Sequence, residues 1–168
     1  MMARTHAVFA LLFYLLFLRI FSINFAILTA SVLCLGTIIP DIDSAGSLIN
    51  QKFRPGKIIA AFSAHRGFWH SVFGCMIFFI IGMLLMIFLK FQFGYILIFS
   101  SGYLLHLAAD SLTVTGIKWF WKSGHTKGFI RTGTWSENVF FIAMCAVIIV
   151  LILPNIGDGV NAFVSWMK

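Results

Sequence analysis

The chain has 168 residues, 61% of them hydrophobic and 10% charged, with a mean hydropathy of +1.01. Too few polar side chains are present to cover a soluble domain, which excludes an ordinary soluble globular protein, a disordered chain and a coiled coil. Lys and Arg number 12 against 5 Asp and Glu, a formal charge of +7; with no basic run interleaved with aromatics, this excess reads as basic loops that set orientation and meet anionic headgroups, and no nucleic-acid partner is expected.

What remains is an all-α integral membrane bundle, one membrane-embedded domain over residues 1–168, because a spanning helix needs about 20 apolar residues. Ala7 to Ile39 is nearly continuous in hydrophobicity, broken by Arg19 and the pair Ser22 and Asn24. That length predicts a helical hairpin turning at Arg19–Asn24, with two short arms that call for local thinning or snorkelling. Arg4 ahead of this run imitates a secretory signal, but the run enters a second span with no small-x-small cleavage site before Asn24, so a retained helix is expected. A third span runs from Phe68 to Leu89 and a fourth from Phe93 to Leu112. The fifth runs from Asn138 to Leu153 and is expected to end at Pro154-Asn155, leaving an interfacial tail with Trp166. Two polar loops separate these spans, Asp41–Gly67 and Thr113–Glu137, the second with Trp119 and Trp121 as interfacial anchors. Cys34, Cys75 and Cys145 lie in apolar segments without CxxC spacing and read as packing residues.

With about five spans, the N-terminus and both long loops share one side. That side carries Arg4, Lys52, Arg54, Lys57, Arg66, Lys118, Lys122, Lys127 and Arg131, against Arg19, Lys90 and Lys168 opposite. The asymmetry predicts an inner-membrane protein with its N-terminus and long loops in the cytoplasm.

The scarce ionisable residues carry the functional signal. His6 opens span one, Asp41 and Asp43 close span two, His65 and His70 open span three, His106 and Asp110 close span four, and Glu137 opens span five. Alternating topology puts all eight at one end of the bundle, leaving out only His125, expected in solvent, and Asp158. Ionisable groups beside hydrocarbon are costly and tend to be functional. His106 and Asp110, four residues apart, project from one helical face. Asp41 and Asp43, after Pro40 at a helix end, offer two carboxylates for metal, or a helix cap at Asp43. His65 and His70 would diverge by about 140° on one ideal helix, so His65 is placed in the loop and His70 in the first turns. His6, Asp41, Asp43, His65, His70, His106 and Asp110 are the candidate ligands, a mixed nitrogen and oxygen set that favours Zn²⁺ over Mn²⁺ or Fe. Glu137 reads equally as a first-turn acid favoured by the helix dipole or as a catalytic group. Arg66 and Arg131 read first as orientation charges, and both adjoin the site where they could hold a phosphate.

These residues, set in Thr5-His6, Pro40-Asp41-Ile42-Asp43-Ser44, His65-Arg66-Gly67-Phe68-Trp69-His70-Ser71, the run Gly102 to Asp110 and Arg131-Thr132-Gly133 with Glu137, resemble the YdjM-like family of bacterial and archaeal inner-membrane proteins, regarded as metal-dependent hydrolases. The likeness covers residues 3–140 and keeps motif order and spacing. More distantly it is similar to zinc-dependent phospholipase C and its nuclease relatives, which hold three zincs with an HxxxD pair, an HxxxE pair and an N-terminal amine. His106 and Asp110 match HxxxD; no HxxxE occurs and His6 is not terminal, so two divalent ions are expected.

The resemblance implies phosphoester chemistry. The expected function is a membrane-bound metal-dependent hydrolase acting on a phosphate-containing membrane lipid, with metal-activated water. Asp43, Asp110 or Glu137 would accept its proton, and Arg66 or Arg131 would bind the phosphoryl group. The alternatives are a metal or proton transporter, and a non-catalytic scaffold stapled by metal.

Overall fold

The computed structural model describes residues 1–43, 68–90 and 92–166; the side chains of 42, 43 and 154–166 lie outside that description. Lys52, Arg54, Lys57, His65, Arg66 and Lys168 therefore also fall outside the described residues.

The first apolar run forms α1 (Ala3–Phe21), which stops where Ser22 takes a left-handed conformation with φ 53°. The N–H groups of Ser22 and Ile23 both return to the carbonyl of Leu18, closing the helix end. The hydroxyl of Tyr14 pins the turn by contacts of 3.3 Å to both the N–H and the carbonyl of Ala26. The chain then reverses into α2 (Ile27–Ile38), followed by a 3-10 turn over Ile39–Asp43. Pro40 lacks the N–H that another α-turn would need, so the helix tightens there. After a second 3-10 turn (Phe68–His70) and extended Ser71 comes α3 (Val72–Leu89). A short link leads to α4 (Phe93–Ser111).

Among the described residues, four helices are long and apolar enough to cross a membrane: α1, α3, α4 and Trp135–Leu153 of the last helix. The expected second span is α2, whose 12 residues rise only about 18 Å at 1.5 Å each, short of a hydrocarbon core of about 30 Å. The last helix, α5 (Trp135–Trp166), corrects the expected stop at Pro154: it continues through the proline for 32 residues in all. One proline removes one backbone donor and does not by itself end a helix in lipid. The second polar loop holds a feature the residue pattern did not predict, an antiparallel hairpin of β1 (Ile117–Phe120) and β2 (Ser123–Thr126) pairing Ile117 with Thr126 and Lys118 with His125. Ile117 alone is buried, against Cys75, Tyr103 and Leu107, while Phe120 and Trp121 are exposed beside Lys118 and Lys122. Exposed aromatics with basic neighbours are the composition of a membrane interface. His125 is exposed, as expected, and the three cysteines are free.

Large apolar side chains such as Phe13, Phe17, Ile80, Leu84, Ile142 and Val150 are exposed around the bundle. In water this belt would drive association; in a bilayer it is the lipid-facing surface. Within the bundle, α2 packs most extensively on α4. Two glycines make that possible. A Cβ on Gly36 would sit 2.1 Å from the Phe99 carbonyl oxygen, and one on Gly102 would sit 2.1 Å from that of Leu33. Small residues allow backbones this close where no hydrophobic effect drives helices together.

Gly36→Val and Gly102→Val are expected to lower stability by about 1–3 kcal/mol, as overpacking does, measured by thermal denaturation in detergent. Gly94, with nothing within 4 Å of its would-be Cβ, should accept alanine with a change of no more than about 0.5 kcal/mol. An unshifted melting temperature for Gly36→Val would contradict the close crossing.

Candidate metal centre

Each donor comes from the end of an element. His6 lies in the first turns of α1, Asp41 in the 3-10 turn after α2, His70 at the last position of the 3-10 turn before α3, and His106 and Asp110 in the last turns of α4. His6 Nε2 is 3.3 Å from Asp110 Oδ1, and His70 Nε2 is 3.4 Å from Asp41 Oδ1. His106 Nε2 is 3.8 Å from Asp41 Oδ1 and 3.9 Å from Asp110 Oδ2, and His70 Nε2 is 4.0 Å from that same Oδ2. The rings of His6 and His106 stack with centroids 3.8 Å apart. Two triads emerge, His6–His106–Asp110 and Asp41–His70–His106, each with donor atoms within 4.8 Å of one another. Four of the five side chains are at most 1% exposed; Asp41 is 24% exposed and forms the accessible edge.

The protonation pattern tests whether a cation fits. His106 Nδ1 is 2.7 Å from the Thr37 carbonyl oxygen, which can only accept, so Nδ1 carries the proton. In the neutral ring this turns the Nε2 lone pair toward the carboxylates of Asp41 and Asp110, an acceptor facing acceptors. Nε2 of His106 and both ring nitrogens of His6 are buried without a hydrogen-bond partner among the described residues. Leaving such groups unsatisfied costs about 1–3 kcal/mol each. Donors bonded at about 2.0–2.2 Å to one tetrahedral ion lie about 3.3–3.6 Å apart, so separations of 3.3 to 4.0 Å are close to what such an ion requires. The donor set fits a divalent cation.

A second layer fixes the first. The Tyr103 hydroxyl donates to the Trp69 carbonyl, and Ser71 Oγ donates to that of Phe68 at 2.5 Å, holding the turn that presents His70. The Gly36–Gly102 crossing brings the Thr37 carbonyl to His106. The Met1 amino group donates to Asp110 Oδ1. Glu137 is fully buried at the start of α5: Oε1 accepts from the Met2 N–H at 2.6 Å and Oε2 from the Gly133 N–H at 2.7 Å. It ties α5 and the 131–134 turn to the beginning of α1, and so to His6.

Of the seven expected ligands, the structure brings together His6, Asp41, His70, His106 and Asp110. His65 and Arg66 lie outside the described residues, as does the side chain of Asp43. Arg131 is exposed on the turn beside Gly133 and forms no ion pair among the described residues. Of the supporting groups, Glu137 was singled out from the sequence, as a first-turn acid or a catalytic group, and its tethering of backbone N–H groups was not anticipated. Backbone acceptors such as Thr37 and Trp69 leave no trace in residue identity; Gly36 and Gly102, small residues in apolar helices, did carry a signal.

Glu137→Gln should destabilise the protein by about 1–3 kcal/mol, because an amide has one acceptor oxygen and leaves a buried N–H facing its own NH₂. Thermal denaturation in detergent checks this. An unaltered melting temperature would exclude the tethering role.

No curated protein and no solved structure matches the chain, and the wider likeness to zinc-dependent phospholipase C finds no support in these comparisons. The family model described as YdjM inner membrane protein matches residues 1–167. A match of that extent, on a helical membrane bundle with these clustered histidines and aspartates, makes the chain a member of the YdjM inner membrane protein family.

Proposed function

We propose that the protein is a membrane-bound metal-dependent hydrolase of a phosphoester in a lipid or lipid-linked substrate. The observation that carries the reading is the buried Nε2 of His106, turned toward two carboxylates and lacking a hydrogen-bond partner among the described residues. Two ions, zinc in preference, are proposed because Asp110 presents Oδ1 to His6 and Oδ2 to His70 and His106. A divalent ion bound here supplies Lewis acidity toward a phosphoryl oxygen and lowers the pKa of a coordinated water toward about 7.

The chain's own residues do the rest. His6, His70 and His106 would offer ring nitrogens to the ion, and Asp41 and Asp110 would balance its charge. The partial exposure of Asp41 makes its edge the point of substrate entry. Glu137, with both oxygens engaged by backbone N–H groups, acts here as a positioning residue rather than a base. The proton acceptor is assigned to Asp43 or Asp110, and Arg66 and Arg131 to the phosphoryl group, from their place in the motif. The donors stand at the ends of their helices rather than midway along them, where transporters bind ions, and this favours hydrolysis over transport. The cytoplasmic side is proposed from the basic residues at that end, Arg4, Lys118, Lys122, Lys127 and Arg131 among the described ones, against Arg19 and Lys90 opposite.

Purified protein should release phosphate or headgroup from a panel of phospholipids and polyprenyl phosphates. Activity should disappear on chelation and return with zinc. His106→Ala should lower kcat/KM by more than the about 10–100-fold that loss of an outer partner causes. Activity retained by the triple variant Asp43→Ala/His106→Ala/Asp110→Ala would overturn the assignment.

A further inference from the structure

The opposite end of the bundle holds a second polar feature, independent of the metal centre. A cleft of about 550 Å³ opens between the end of α1, the turn that follows it, and α5. Its walls include Leu18, Leu151 and Ile152, and its polar edge is Arg19, Ser22 and Asn24. Arg19 lies 13 residues beyond His6 on the same helix, about 20 Å along the axis at 1.5 Å per residue, so the cleft is remote from the cluster.

Arg19 interrupts an apolar run, and a guanidinium at membrane depth needs an anion or water. Among the described residues it has no carboxylate partner, and the described acids Asp41, Asp110 and Glu137 all belong to the other end. It is not needed to close its own helix end, since the backbone N–H groups of Ser22 and Ile23 already take the Leu18 carbonyl. The side chains of Ser22 and Asn24 are exposed beside it, and the Tyr14–Ala26 contacts hold the turn in place. A cation with adjacent hydroxyl and amide groups, set beside an apolar wall between two membrane helices, has the polarity gradient of a lipid: phosphate at the rim, acyl chain below.

We propose that this cleft binds one phospholipid, its phosphate on Arg19, Ser22 and Asn24 and an acyl chain along Leu18, Leu151 and Ile152.

Native mass spectrometry of the full chain in detergent, titrated with phosphatidylglycerol, tests it. One lipid should bind ahead of the rest, and Arg19→Gln should raise the half-occupancy concentration roughly tenfold, the loss expected for one charge-assisted contact. Ile152→Trp keeps the charge but fills the wall, and should lower occupancy as well. Both variants should keep the wild-type metal content. Equal occupancy in Arg19→Gln, equally tight binding of a diacylglycerol that lacks phosphate, or displacement of the lipid by inorganic phosphate alone would each overturn the proposal.

Discussion

The carboxylate of Asp110 is the junction on which the structure turns. His6 and the Met1 amino group meet one of its oxygens, and His70 and His106 face the other, so α1, α4 and the approach to α3 are all referred to one side chain. An ionised carboxylate sealed away from water is tolerable only beside compensating charge, which the Met1 amino group supplies at one oxygen and a cation shared with the imidazoles would supply at the other. That requirement ties the depth and rotation of the elements around Asp110 to one another. Asp41 extends the constraint to α2 by facing His70 and His106.

Ordinary helix packing serves this junction. The bundle core is modest, because much apolar surface faces outward to lipid. What aligns the helices is close backbone contact at Gly36 and Gly102, together with polar ties at Glu137 and Tyr103. Where association gains little from hydrophobicity, such specific contacts carry more of the burden of defining one arrangement. A displaced α2 would lose its packing and would also withdraw the carbonyl that sets the tautomer of His106.

Much of this was legible in the residues. Hydropathy located the helices, and the positions of His6, Asp41, His70, His106 and Asp110 at alternating helix ends predicted their meeting, because an antiparallel path returns such ends to one level. Legibility failed where backbone geometry decides. Hydropathy predicted two short arms in the first hairpin; α1 is in fact 19 residues long, and only α2 is short, because Pro40 and the 3-10 turn cut it to 12 residues. Pro154 looked like a stop, yet the helix continues through it. The β1–β2 hairpin lacks an alternating apolar pattern, and Ile117 is its only buried position. Glu137 could not be given a role from its identity alone, because its partners are two N–H groups far apart in sequence.

The near-complete enclosure of the imidazoles has a kinetic side. Only Asp41 touches solvent among the five gathered donors, so an ion entering the finished bundle must arrive past that one carboxylate or wait for helices to part. If the cluster holds an ion as proposed, capture would be most rapid while the segments are still assembling, when binding and folding draw on the same free energy. The order of events during biogenesis, insertion first and closure around the ion afterwards, would set which metal a given molecule holds. Thereafter the slow parting of helix ends, rather than affinity, would set how long that metal stays.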